Sequence, residues 1–151
     1  MEQSKLLKQN LLALSSSHPA LSIKAGNTDA SPLVKFRTAK NGMLIPVLTV
    51  DDREYPLHST IDPGREAERF YDSFAAGGYL VFFGLGAGYH IRPFLERKDI
   101  SGFLIIDFDL SIFRSILLRF DLRDIILDGR VRILIDPTEK EITEDMLHNY
   151  L

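Results

Sequence analysis

The sequence predicts an α/β chain: half of a doubly wound parallel sheet, built from three strand–helix units, behind a small antiparallel β meander and an N-terminal helix. Two observations carry this. Tyr79–Phe83 is an unbroken apolar run, as suits a strand buried on both faces of a parallel sheet, and it leads without a gap into Gly84-Leu85-Gly86-Ala87-Gly88. Ile91, Phe94 and Leu95 follow at helical spacing within Tyr89–Arg97, and a second apolar run, Phe103–Ile106, ends in Asp107. Strand, glycine turn, helix, strand and acid, in that order, open a Rossmann-like unit of the dinucleotide-binding type.

The order has a chemical rationale. Glycine accepts positive φ and lets another group approach the backbone closely. A helix starting just behind the turn presents unpaired N–H groups and the positive end of its dipole to an anion. Asp107 stands 23 positions after Gly84, near the spacing of roughly 20 for the acid that binds ribose hydroxyls. The glycines are spaced G-x-G-x-G, not G-x-G-x-x-G. That shorter spacing resembles the first motif of S-adenosylmethionine-dependent methyltransferases, although Phe82-Phe83 stands where those enzymes commonly carry an acid.

The candidate ligand-binding residues are therefore Gly84, Gly86, Gly88, Tyr89 and Asp107, with Ser59 as a polar contact from the loop leading to the turn. A structural reading stands beside each. The glycines equally serve a close-packed turn, Asp107 a helix cap, Tyr89 and His90 local packing, and Ser59 a hairpin exit. No residue is assigned to catalysis, and no motif names a cofactor. His58, Ser59 and Asp62 lack a nucleophile elbow. Asp51, Asp52 and Glu54 have no histidine or cysteine at ligand spacing and read as a solvated turn.

At 151 residues the chain is one domain's worth, and its net charge of −3 argues against a nucleic-acid-binding surface. It has no cysteine, which excludes disulfides and thiolate metal sites. Leu11–Leu14 is too short for the core of a secretion signal, and no apolar run approaches the roughly 18 residues of a membrane span. The expected location is cytoplasmic.

Leu6, Leu7, Leu11 and Leu14 place a short amphipathic helix over residues 3–14, ended by Ser15–Pro19, with loop from Ala25 to Pro32. Leu33–Thr38 alternates, Asn41-Gly42 is a hairpin signal, and Met43–Val50 continues as a strand whose Pro46 suggests an edge or a bulge. Asp51–Glu54 reads as a second turn before Tyr55–Ser59. Residues 1–59 thus form helix and meander, and 60–151 the α/β unit. Asp62 caps a helix begun by Pro63, with Ala67, Phe70, Tyr71, Phe74 and Ala75 on one face and Gly77-Gly78 as its stop. After Asp107, a helix over Leu110–Leu122 begins at the cap Asp109, and Asp124–Leu127 adds a short turn of helix. Val131–Ile135 is the third parallel strand, and the capping box Thr138/Glu141 opens a helix bearing Ile142, Met146, Leu147 and Tyr150. Arg114, Arg119, Arg123, Arg130 and Arg132 read as a mixed solvated surface. The strand that would lie beside the first one across the switch point is missing, so the meander, a second copy or, as the favoured reading, the remainder of a longer chain is expected to cover that edge.

Leu57-His58-Ser59, Asp62-Pro63, Glu66-Ala67, Gly84–His90 and Asp107-Phe108-Asp109 occur in that order. Together they resemble the N-terminal region of the bacterial motility accessory factor family, over about residues 33–136. The resemblance implies a Rossmann-like module of a protein glycosyltransferase that attaches nonulosonic (sialic-acid-like) sugars to serine or threonine of flagellin. The functional reading of Gly84, Gly86 and Gly88 is a cradle for a nucleotide or nucleotide-sugar, a role for the entry module that the resemblance does not itself supply. Family members commonly carry glutamate and proline where this chain has Asp107 and Phe108, so the carboxylate is kept. The family's larger catalytic portion lies beyond the equivalent of residue 151, so this chain resembles an entry module that is not catalytic by itself. A methyltransferase-like domain and a non-catalytic interaction module are the other two readings.

Overall fold

The computed structural model describes residues 2–75 and 77–150. Helices α1 (Glu2–Ser17) and α2 (Pro19–Gly26) precede the strands β1 (Val34–Thr38), β2 (Leu44–Val50) and β3 (Arg53–Pro56). Then come α3 (Pro63–Asp72), β4 (Gly78–Phe83), α4 (Arg92–Leu95), β5 (Ile100–Asp107), α5 (Leu110–Arg119), α6 (Arg123–Ile126), β6 (Val131–Ile135) and α7 (Glu139–Tyr150). The first three strands form an antiparallel sheet in chain order, and the last three a parallel sheet ordered β4-β5-β6. This is the architecture the sequence predicts.

Several boundaries differ, each for a local reason. α1 runs through Ser17, and Pro19 begins a second helix instead of closing the first; a proline in the first turn gives up an N–H that would be unpaired anyway. The second meander turn is only Asp51-Asp52, both at positive φ (51° and 62°), so Arg53 and Glu54 already belong to β3. Pro46 lies in the central strand of the meander, not on an edge. Its carbonyl accepts from Leu57 N–H (3.0 Å), and the main-chain N and O of a strand residue point the same way. The missing donor therefore faces the last rung beyond the end of β3, where one absent bond is tolerated. α3 stops at Asp72, leaving Phe74 and Ala75 outside it, although Phe74 still packs edge-on to Phe94.

The core sits on one face of the parallel sheet. Register aligns Phe82 with Ile105 and Ile133, and Phe103 with Val131; all five are buried, with Phe94, Phe113 and Leu117 packed in the same cluster. Phe82 and Phe103 stack at 6.2 Å, and Phe70 and Phe94 meet Phe82 at an angle. α1 joins this core through Asn10, which is wholly buried. Its Nδ2 donates to the carbonyls of Leu117 (2.8 Å) and Phe120 (2.7 Å), and its Oδ1 accepts from Leu122 N–H (3.1 Å). One side chain thereby satisfies the end of α5, at a net gain of about 1 kcal/mol per bond.

The other face is thinly covered. There α7 is held by Asp145, which accepts from Arg132 Nε (3.1 Å) and Tyr79 Oη (3.5 Å). The capping box forms as its sequence implies: Thr138 Oγ1 accepts from Glu141 N–H at 3.1 Å, while Glu141 Oε1 accepts from Thr138 N–H at 3.4 Å. Yet Met146 and Leu147 are exposed, and the Tyr150 side chain lies outside the described ones. β4, read from sequence as buried on both faces, is an edge strand with Phe83 73% exposed; the fully enclosed strand is β5. The arginines are not all solvated either: Arg130 is half-buried and donates to the carbonyls of Leu95 (2.7 Å) and Arg97 (2.6 Å).

The meander is tied to this body. Phe36 and Leu44 pack on the main core, and Tyr89 lies between that core and the small buried group Ala39, Ile45 and Val47. Among the described residues no helix is long and apolar enough to cross a membrane.

Candidate functional site

The chain bends sharply at Gly84–Gly88, at the C-terminal ends of β4 and β5, where open α/β sheets bind ligands. Gly84, Gly86 and Gly88 all take positive φ (93°, 51° and 79°). The helix expected behind the bend is reduced to the single turn Arg92–Leu95. Gly88 N–H is already spent on Leu85 O (2.8 Å), and Pro93 has no N–H to extend a ladder. No long helix dipole points at this bend.

What occupies the bend is His58. A Cβ on Gly86 would meet His58 Nε2 at 2.6 Å, so only glycine admits the ring. The same nitrogen accepts from Ala87 N–H at 2.9 Å, which fixes the proton of the neutral ring on Nδ1. His90 has the opposite tautomer: its Nε2 stands 3.1 Å from Gly84 O, a pure acceptor, so Nε2 carries the proton and Nδ1 is bare. Both rings are held neutral. Burial lowers the His58 pKa from 6.5 to about 4, helped by His90 and Arg92, and burial also lowers that of His90.

Asp107 closes the bend from β5. Its Oδ2 accepts from Leu85 N–H (3.1 Å) and its Oδ1 from Phe108 N–H (2.9 Å), so it ties the glycine turn to the next strand and does not cap α5. That cap is Asp109, which accepts from Ile112 N–H at 3.0 Å. Glu66 reaches back to Ser59 N–H (2.9 Å), and Ser59 Oγ accepts from Ile61 and Asp62 N–H, so the loop is tied to the start of α3 outside the Asp62 cap, without a capping box.

These groups surround a cleft of about 570 Å³. Gly84, Gly86 and Asp107 line it, together with His58, His90, Glu66, Phe70, Phe83, Ile112 and Ile116. The other candidates are engaged elsewhere. Gly88 is packed against Ile125, Tyr89 Oη donates to Leu44 O (2.6 Å) with its ring edge-on to His58, and the Ser59 hydroxyl is spent on its own turn. Sequence reasoning passed over His58 and Glu66; their place in the ordered motifs Leu57-His58-Ser59 and Glu66-Ala67 was the signal that could have found them. No group of histidines and carboxylates among the described residues is arranged to hold a metal.

A parallel strand–turn–strand unit with a carboxylate at the second strand end defines an open, Rossmann-like α/β module. Residues 57–150 match the family model described as the glycosyltransferase Maf N-terminal domain, and the chain belongs to that family. The solved structure of Maf glycosyltransferase from Magnetospirillum magneticum AMB-1 shares the fold, with a TM-score of 0.65 at 16% identity. The likeness covers 97% of this chain and 30% of that one. No curated protein matches.

Proposed function

We propose that this chain is the N-terminal module of a protein glycosyltransferase that transfers nonulosonic acid to serine or threonine of flagellin, acting in the cytoplasm. In this reading the module binds a nucleotide or nucleotide-sugar in the cleft at Gly84, Gly86 and Asp107, while glycosyl transfer takes place elsewhere. The convergence of the glycine bend and Asp107 at the ends of adjacent parallel strands is the observation that supports it. Calorimetry with CMP and a CMP-activated nonulosonic acid is the test, on this chain and on a longer chain containing it. Heat with either ligand, lost in Asp107→Asn, is expected; Asn keeps an oxygen for Leu85 N–H, so the bend survives. Silence from both ligands on the longer chain would count against the reading.

The same proposal has the remainder of a longer chain cover the outer edge of β4. Gly84 N–H points to Ile106 on β5, so by alternation the N–H groups of Val81 and Phe83 point away from the sheet, and both side chains are exposed. The similar Maf structure is more than three times as long, since the match covers only 30% of it. Amide exchange at Val81 and Phe83 is expected to be fast in this chain and protected in the longer one. Equal exchange in both would leave the edge open.

A further inference from the structure

The chemistry of the cleft goes further than the nucleotide reading on which it rests. A phosphate-binding turn works by leaving successive N–H groups free for the anion. Here Gly84, Leu85, Ala87 and Gly88 N–H are each spent, on Ile106 O, Asp107 Oδ2, His58 Nε2 and Leu85 O, which breaks the run within the glycine turn and leaves Gly86, Tyr89 and His90 N–H without a partner among the described residues. No lysine or arginine is among the described residues lining the cleft. Arg92 lies against the back of the bend, held on Ala87 O (2.8 Å) and Asp124 (2.8 Å), and is not part of the cleft lining. What faces the space instead is two carboxylates, Asp107 and Glu66, and two imidazoles. A phosphate placed there would meet two carboxylates at close range, while the Arg92 charge lies outside the lining and is already paired with Asp124.

The same set suits an uncharged diol. Each carboxylate oxygen of Asp107 accepts one main-chain N–H and keeps further acceptor capacity for a hydroxyl. His58 adds an Nδ1–H donor and His90 a bare Nδ1 acceptor, and neither atom has a partner among the described residues. Phe70, Phe83, Ile112 and Ile116 supply the apolar walls that a base or sugar ring needs. We infer that the cleft receives the ribose and base of a ribonucleoside, with the ribose 2′,3′-diol on Asp107, and that the phosphoryl groups of the ligand stay outside it.

Titrating this chain by NMR with cytidine, uridine, adenosine and guanosine, and with their 5′-monophosphates, tests this directly. At least one nucleoside is expected to bind as tightly as its monophosphate or tighter. Its 2′,3′-dideoxy analogue should bind at least tenfold more weakly. Asp107→Asn should weaken the ribonucleoside by a similar factor and leave the dideoxy analogue unchanged, which a merely loosened bend would not do. A monophosphate that binds tenfold more tightly than its nucleoside, or a dideoxy analogue that binds equally well, overturns the inference and leaves the nucleotide-binding reading standing. No binding of any nucleoside or monophosphate overturns both.

Discussion

Acidification from pH 6.5 to about 4 should cost this chain several kcal/mol of stability, before its carboxylates come into play. His18 and His58 are both buried and both have their pKa lowered from 6.5 to about 4. Burial is the main cause for each ring, with Arg132 adding to it at His18, and His90 and Arg92 at His58. Each also uses Nε2 to accept a main-chain N–H, from Ile133 (3.0 Å) and Ala87 (2.9 Å), a bond that a protonated ring cannot make. Below pH 6.5 the unfolded chain takes up protons on these rings that the folded chain refuses, so stability falls with pH and levels off near pH 4. At about 1.4 kcal/mol per pH unit and ring, the loss is about 3 kcal/mol for each. Above pH 6.5 both states are neutral and the contribution is flat. Asp109, Asp121 and Asp128 are held below 3.8 by their hydrogen bonds, so what they contribute is lost at lower pH still. Urea midpoints measured from pH 7.5 to 4.5 should fall throughout the lower part of that range, and less steeply in His18→Gln. A flat midpoint would contradict the burial of both rings as neutral acceptors.

Gly88→Ala should be nearly as costly. At φ +79° an alanine is strained by roughly 1–2 kcal/mol, and its Cβ would stand 2.4 Å from Ile125 Cδ1. Ile125 is fully buried, so the methyl has nowhere to go, and such overpacking costs about 1–3 kcal/mol more. Together these predict a loss of about 2–5 kcal/mol in urea unfolding. Ile125→Val removes the offending methyl, so the double variant should recover the steric part and retain the backbone part. A Gly88→Ala chain within about 0.5 kcal/mol of the parent, the range of ordinary surface changes, would show that the bend relaxes freely.

What could be read from sequence was mostly local. The caps Asp62, Asp109 and Thr138 act on N–H groups three residues ahead, and each sits at its helix start as its pattern implies. The apolar runs of β5 and β6 gave the parallel sheet because buried strands have no other way to look. The helix behind the glycine bend is shorter than its spacing predicts, because Ile91, Phe94 and Leu95 are buried or half-buried whether or not the backbone between them is helical. The free edge of β4 follows from the strand missing beside it, but the exposure of Val81 and Phe83 is not legible, since Tyr79–Phe83 is apolar enough for a strand covered on both faces. The site was half legible. Gly84, Gly86 and Asp107 announce themselves by spacing, but the ring inside the bend comes from position 58, in a loop whose path only the folded meander sets. Nothing local in Leu57-His58-Ser59 says which of its polar groups turns inward, and the hydroxyl expected at the cleft is the one spent on its own turn.

The buried amide of Asn10 has a bearing on how the protein is made. Its three partners lie 107, 110 and 112 residues further along, so while that stretch is being synthesised α1 has α2 to pack against, through Ser22 Oγ on Leu11 O, but not the end of α5. At a translation rate of about 5–20 residues per second, that interval is roughly 5–20 s. Throughout it the buried amide and the apolar stripe of α1 wait for the groups that cover them.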